Sequence, residues 1–257
     1  MTWKTEYSKE QDGVKIEGFS ATEEDCRQYF TEFVLPKLKK ADTAEQLRLH
    51  LQELVKTGFD SSGLLACLEP DECHKFSELG EIIAESVLET EHEVMFPWET
   101  NWDKRNKISS LAGADIVGFQ NKVSARFIFG EVKSSSEDRV PPQIVNQSKG
   151  CLKEQMHNLC HNEPSRYQLI QWLYVRVKET EWIDKFNEAL TNYANKNYCL
   201  IGILVSGGRI LNDKDLTGIC KDIKKKLNEA EISLFGYYLP FKTKEWNSLI
   251  NDLEAKK

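Results

Sequence analysis

The amino-acid sequence predicts an α/β fold, in which helices flank a mixed central β-sheet and an N-terminal helical region precedes it. Two observations support this class. Up to about residue 90, apolar residues recur with a helical period, and beyond it short apolar runs typical of strands appear. From about residue 143 onwards, helical and strand-like segments alternate, which is the pattern of a sheet covered by helices. With 257 residues, the chain is long enough to bury a substantial core.

Three amphipathic helices are predicted in the first part of the chain, at residues 20–40, 43–57 and 76–90. The first has hydroxyl residues that can cap its start and acidic residues in its first turn, and the others carry a stripe of leucine, isoleucine or valine. We therefore divide the chain into an acidic helical N-terminal region, residues 1–75, and a domain that contains the sheet, residues 76–257.

After residue 90, the period changes to that of strands. The apolar runs at 93–98, 114–119 and 125–133 predict strands, and a polar turn joins the last two. The segment 166–177 is ambiguous, and its second half favours a strand. The remaining predicted elements are helices at 143–160, 179–196, 213–228 and 243–255 and strands at 198–206 and 232–241.

Charge is distributed unevenly along the chain, whose net charge is −7. Residues 1–100 hold 10 basic and 22 acidic residues, a net charge of −12, whereas residues 101–153 hold 9 basic and 5 acidic residues, a net charge of +4. A nucleic acid could approach the basic part and would be repelled by the acidic part. Ordinary variation of surface charge gives similar numbers, so the charge pattern alone does not identify a partner.

Several functional classes find no support in the sequence. The longest apolar run, residues 198–207, is shorter than the roughly 20 residues that a membrane span needs. The polar N-terminus is unlike a signal peptide, and seven irregularly spaced cysteines indicate a reducing compartment, so we expect a cytoplasmic protein. Five scattered histidines, without a G-x-S-x-G turn, give no sign of a hydrolase triad. The glycine turn at 206–208 lacks the Lys-Ser/Thr pair of a phosphate-binding loop.

A constellation of charged residues lies within the two adjacent strands that a polar turn joins. In an antiparallel hairpin around this turn, Asp115 stands opposite Glu131. Because side chains alternate along a strand, Glu131 and Lys133 point to the same face, roughly 6–7 Å apart. Both faces of the hairpin are otherwise apolar, as in a sheet that is covered on both sides. The pattern therefore predicts two carboxylates and a lysine in poorly hydrated surroundings.

Two opposed carboxylates in such surroundings need compensation, because repulsion and lost hydration cost several kcal/mol per buried ion. Lys133 can offset one charge. A hard divalent cation such as Mg²⁺, held by Asp115, Glu131 and the carbonyl oxygen of Val132, would offset the rest. The alternative is an ordinary ion pair between Glu131 and Lys133 on a solvated strand face, with Asp115 in a turn. We favour the metal site because the aspartate and the E-x-K motif stand on adjacent apolar strands.

The segments "GAD" and "FGEVK" within residues 113–133 resemble the active-site core of the PD-(D/E)XK nuclease superfamily. Asp115, Glu131 and Lys133 match the first acid, the second acid and the lysine of its signature, whereas Ala114 stands where the proline is usual. The resemblance covers roughly residues 76–160. It implies a restriction-endonuclease-like core and hydrolysis of DNA phosphodiester bonds with Mg²⁺, or Mn²⁺ as a substitute.

The same resemblance implies a further glutamate on the helix before the hairpin. Glu81 matches it best, and Glu85, one turn later, is the substitute, although either residue would also suit a solvated helix face. In this reading, Asp115, Glu131 and Glu81 hold the metal, and Lys133 positions or deprotonates the attacking water and stabilises the transition state. Candidate phosphate contacts, which would equally suit ordinary surface positions, are Arg105, Lys107, Lys149 and Lys153.

At a finer level, the segments "LAGADIVGF" and "FIFGEVKSSSE" are similar to the HamA family, the nuclease subunits of Hachiman antiphage defence, and equally to the related AbpA proteins. This resemblance implies a superfamily-2 helicase partner, HamB-like or AbpB-like, which restrains the nuclease until aberrant DNA is sensed.

A different class of function is a catalytically silent adaptor with a nuclease-like fold. It would bind a basic partner protein through the acidic N-terminal helices, for which the net charge of −12 over residues 1–100 is suitable. A free-standing restriction endonuclease would need an element that reads DNA sequence, and the sequence offers none.

Overall fold

The computed structural model describes residues 3–41, 43–55, 74–98, 103, 113–121, 123–223 and 230–256. Seven strands are found there, and they are β1 (Lys4–Gln11), β2 (Val14–Ser20), β3 (Val94–Met95), β4 (Ile116–Asn121), β5 (Ala125–Ser135), β6 (Cys199–Gly207) and β7 (Glu231–Leu239). They form one mixed sheet in the order β1-β2-β7-β6-β5-β4-β3.

The helices before the hairpin are α1 (Glu23–Tyr29), α2 (Leu35–Ala41), α3 (Thr43–Val55) and α4 (Phe76–Glu91), with a π-helical turn at Phe30–Val34 between the first two. The later helices are α5 (Gln143–Asn146), α6 (Leu152–His161), α7 (Glu163–Val177), α8 (Ile183–Ala194), α9 (Lys214–Thr217), α10 (Cys220–Ile223) and α11 (Trp246–Glu254), which a 3₁₀ turn at Thr243–Glu245 precedes.

The centre of the sheet is parallel and its edges are antiparallel. Strands β2, β7, β6 and β5 pair in parallel, whereas β1 joins β2, β4 joins β5 and β3 joins β4 in antiparallel ladders. Helices α1, α2, α4 and α11 contribute to the apolar core on one face, and α5 to α10 contribute to the core on the other. Every residue of β6 is buried, as its continuous apolar sequence requires.

Most elements predicted from the sequence are confirmed, including the mixed sheet, the helices at 20–40 and 76–90, the described part of the helix at 43–57 and the hairpin of β4 and β5. The predicted register of this hairpin is also correct, because Ile116 pairs with Gly130 and Val117 with Phe129. The predicted helix at 143–160 is instead divided into α5 and α6. The final part of the predicted helix at 213–228 lies outside the described residues.

The prediction that the N-terminal region is entirely helical is wrong, because β1 and β2 form a hairpin there. Its turn contains Asp12 and Gly13, both with positive φ, at 54° and 74°. This conformation suits the right-handed twist of a two-residue hairpin, and Asp-Gly is one of the pairs that adopt it most readily. Since β2 pairs with β7, the start of the chain belongs to the same sheet as the later strands.

The preference for a strand in the second half of 166–177 is also wrong, because this segment lies within α7. The Asn162 side chain accepts a hydrogen bond from the Ser165 N–H and so caps the helix, and Pro164 occupies its first turn. The buried apolar residues of α7 follow helical spacing, and they are Leu169, Ile170, Leu173 and Val177.

Candidate active site

The β4–β5 hairpin brings the three predicted signature residues together. Asp115 lies immediately before β4, and its Oδ2 accepts a hydrogen bond of 2.9 Å from the backbone N–H of Val132. In a strand, the N–H and C=O groups of one residue point to the same edge, so the Val132 carbonyl also points towards Asp115. The aspartate is thereby fixed against the part of β5 that carries Glu131 and Lys133.

Lys133 lies between the two carboxylates. Its Nζ is 3.5 Å from Glu131 Oε2 and 3.7 Å from Asp115 Oδ2. The Glu131 side chain is 3% exposed, that of Lys133 15% and that of Asp115 26%. The site therefore has a buried acid at its base and a second acid and an amine closer to solvent. The alternative of a solvated strand face does not fit this burial.

The protonation of Glu131 reflects these surroundings. The pKa of Glu131 is raised from 4.5 to about 9, mainly by burial and next by the nearby charge of Asp115, while Lys133 partly opposes the change. Glu131 Oε2 is buried and, apart from its ion pair with Lys133, has no partner in the part of the chain that the structure describes. Without a further cation, Glu131 therefore keeps its proton at neutral pH.

The donor set suits a hard divalent cation. The carboxylates of Asp115 and Glu131 and the neighbouring Val132 carbonyl offer oxygen ligands, which Mg²⁺ and Mn²⁺ prefer. Mg²⁺ is commonly held by only one or two protein carboxylates, with water and substrate phosphate as the other ligands. Among the described residues, no group of three or more His, Cys, Asp or Glu side chains is arranged to hold a metal, so the structure does not bring Glu81 together with Asp115 and Glu131 as a third ligand.

The two candidate third glutamates differ in their environment. Glu85 is 9% exposed, and its Oε2 lies 3.2 Å from Nζ of the buried Lys37, which is also hydrogen-bonded to Glu89. Glu81 is half-buried and sits beside Gly80, whose position lies against Ser134 at the end of β5. A Cβ atom at residue 80 would be 1.8 Å from Ser134 Oγ, so the glycine permits α4 to approach the site strand closely.

We expect Glu81→Ala and Glu85→Ala to affect different properties. Glu81→Ala should weaken Mn²⁺ binding by at least about tenfold, as loss of a supporting metal-site residue does. Glu85→Ala should lower the free energy of unfolding by about 1–3 kcal/mol, because it removes a partner of buried Lys37. Calorimetric titration with Mn²⁺ and thermal unfolding without metal measure the two effects. The reverse outcome would assign the metal role to Glu85.

The predicted phosphate contacts are only partly described. Lys149 is exposed before α6, and Lys153 on α6 forms an ion pair of 2.7 Å with Asp222. Arg105 and Lys107 lie outside the described residues. For all four residues, the contact with phosphate stays a prediction.

Sequence reasoning missed a cavity of about 360 Å³ beside Glu131, between the hairpin and helices α6 and α7. Its polar lining includes Gln155, Asn158 and Gln168, and Trp172 lies at its side. Gln168 and Trp172 are four residues apart, so on a helix they are neighbours on one side. On a strand they would share a face but lie more than twice as far apart. The incorrect preference for a strand within 166–177 concealed this grouping.

Within the described residues, no helix is long and apolar enough to span a bilayer. A comparison with curated proteins finds no match. The model of the HamA family matches residues 8–252, which is nearly the whole chain and includes strands β2 to β7, Glu81 and the three signature residues. The chain therefore belongs to the HamA family, which associates it with Hachiman defence.

Proposed function

We propose that the chain is a metal-dependent nuclease that hydrolyses DNA phosphodiester bonds as the effector subunit of an antiphage defence complex. The observation that carries this proposal is the buried Glu131, which lies against Lys133 and Asp115 at the end of an apolar hairpin. Such an arrangement is costly for stability, and it is the one expected where two acids and an amine act on a phosphate. Membership in the HamA family and the resemblance to PD-(D/E)XK nucleases support the same function.

Asp115, Glu131 and the Val132 carbonyl would hold Mg²⁺ or Mn²⁺, with Glu81 as the proposed additional ligand. The cation would supply Lewis-acid polarisation of the scissile phosphate and lower the pKa of the attacking water. Lys133 lies within 4 Å of both acids, so its ammonium group can donate to a phosphate oxygen and stabilise the developing negative charge. The backbone hydrogen bond from Val132 keeps Asp115 in place during this step.

A superfamily-2 helicase, HamB-like or AbpB-like, is the proposed partner that restrains the nuclease. The rival proposal is an adaptor without catalysis, which the net charge of −12 over residues 1–100 favours, because an acidic surface suits a basic partner protein. Both proposals allow copurification with a partner, so copurification does not separate them. Only the nuclease proposal requires a metal at Glu131.

Metal titration separates the two proposals. At a Mn²⁺ or Mg²⁺ concentration about 100 times the dissociation constant, binding adds about 3 kcal/mol to the free energy of unfolding, so the melting temperature should rise by several degrees. Differential scanning fluorimetry measures this rise. Glu179→Gln is the matched control for Glu131→Gln, which should lose the rise in melting temperature. Because the Glu179 side chain is 85% exposed, Glu179→Gln should keep the full rise. A wild-type chain that copurifies with its partner but shows no rise would support the adaptor.

A further inference from the structure

The cavity beside Glu131 has a lining unsuited to phosphate. It contains three amide side chains, from Gln155, Asn158 and Gln168, and a hydroxyl from Ser165, but none of its described lining residues is lysine or arginine. Glu131 is the single acidic residue among these described lining residues. Val117, Leu159 and Leu169 supply an apolar surface. A neutral ligand that combines apolar area with hydrogen-bonding edges is the chemistry that such a lining accepts.

The amide groups match the edges of a nucleobase. An amide side chain both donates and accepts hydrogen bonds, and bases carry donors and acceptors along their edges. Gln155 Oε1 is buried and has no hydrogen-bond partner among the described residues. A buried acceptor without a partner is unfavourable by about 1–3 kcal/mol, and a ring N–H or an exocyclic amino group of a base would satisfy it.

Trp172 is held in a fixed orientation at the side of the cavity. Its Nε1–H donates to Asp103 Oδ2 at 2.8 Å, and Asp103 also forms an ion pair of 2.8 Å with Arg176. The Arg176 guanidinium lies 4.4 Å from the centre of the Trp172 ring and covers part of it. Trp172 also lines the cavity. A preorganised aromatic ring favours stacking, because little side-chain freedom is lost when a base binds.

We infer that this cavity binds one unpaired nucleobase of the strand whose phosphate lies at Asp115, Glu131 and Lys133. The inference rests on the proposed nuclease function and specifies its substrate. A base within a duplex is paired and stacked, so it enters such a cavity only after it leaves the helix. The substrate is therefore single-stranded or locally unwound DNA, in which bases are already available.

The test is a cleavage ladder from an end-labelled single-stranded oligonucleotide that carries one abasic nucleotide, digested by the full chain with Mg²⁺. Loss of one stacked base is worth about 1–3 kcal/mol. Cleavage at a bond next to the abasic nucleotide should therefore fall about tenfold below cleavage at the other bonds. The double variant Gln155→Leu/Gln168→Leu should cut all bonds more slowly. The difference in cleavage between the bonds next to the abasic nucleotide and the other bonds should be much smaller in this variant.

Gln171→Leu is the matched control, because Gln171 is exposed on the same helix and does not line the cavity. It should preserve both the rate and the gap. If the double variant does not fold, Gln168→Leu alone replaces it, since Gln168 is exposed and a change there is well tolerated. A uniform ladder from the wild-type chain would overturn the inference and leave the proposed nuclease function intact.

Cleavage of the annealed duplex but not of the single strand would overturn the inference and leave the proposed function intact. A chain that cuts neither would contradict the proposed function, and binding then decides the inference separately. The probes are a short fluorescein-labelled oligodeoxyadenylate and its fully abasic analogue, compared by anisotropy in Ca²⁺. Tighter binding of the base-containing probe that is lost in Gln168→Leu would support the cavity as a base site. Equal binding of both probes, or no binding of either, would overturn it.

Discussion

Replacement of Glu131 by glutamine should abolish DNA cleavage and at the same time stabilise the metal-free protein. Glutamine keeps the shape of the side chain but cannot provide a carboxylate for Mg²⁺, so cleavage should fall at least about 100-fold, a typical effect of losing one electrostatic element of an active site. The free energy of unfolding should rise because glutamine removes the cost of burying an ionisable side chain that is 3% exposed and lies beside Asp115.

Plasmid cleavage with Mg²⁺ and the partner present, together with thermal unfolding in a chelator, measures the two effects on one sample. The higher melting temperature serves as its own control for folding. Lys133→Ala should lose cleavage to a similar degree but keep metal binding, because both acids remain. A folded Glu131→Gln protein that cuts at the wild-type rate would exclude the proposed chemistry.

The site strands could be predicted because their signals are local. The position of the turn between two apolar runs determines which residues of β4 and β5 are opposite each other. The proximity of Asp115 to Glu131 could therefore be predicted from their distances to the turn along the chain. The strict alternation of side chains placed Lys133 beside Glu131. Neither step requires knowledge of the rest of the fold.

The remaining features depend on contacts between distant segments. The pairing of β2 with β7 joins residues more than 200 positions apart, and no local pattern specifies it. The buried pair of Lys37 and Glu85 likewise depends on how α2 meets α4. A local signal was available for the first hairpin, in the Asp12–Gly13 turn. The cavity, in contrast, requires α6, α7 and the hairpin to be assembled, so sequence alone could not show it.

Metal binding should depend strongly on pH, because Glu131 must lose its proton before its carboxylate can hold a cation. With a pKa of about 9, Glu131 is largely protonated at pH 7. Binding of Mn²⁺ or Mg²⁺ should therefore release about one proton and strengthen roughly tenfold per pH unit between about pH 6 and 9. Calorimetric titrations in two buffers of different ionisation enthalpy measure the released proton. Equal affinity at pH 6 and pH 9 would contradict this expectation.

The free energy of unfolding of the metal-free chain should fall as the pH rises, which is opposite to the trend in metal affinity. The pKa of Glu131 is higher in the folded chain than in the unfolded chain, so the folded chain holds the extra proton between about pH 4.5 and 9. Unfolding then releases a proton, and the contribution of Glu131 to the free energy of unfolding falls by about 1 kcal/mol per pH unit as the pH rises. Saturating Mn²⁺ should remove this loss, because the ionised carboxylate is then paired with a cation. Glu131→Gln should lack this contribution with or without metal. If the free energy of unfolding of the metal-free wild-type chain varies with pH as that of the variant does, Glu131 is already ionised without metal.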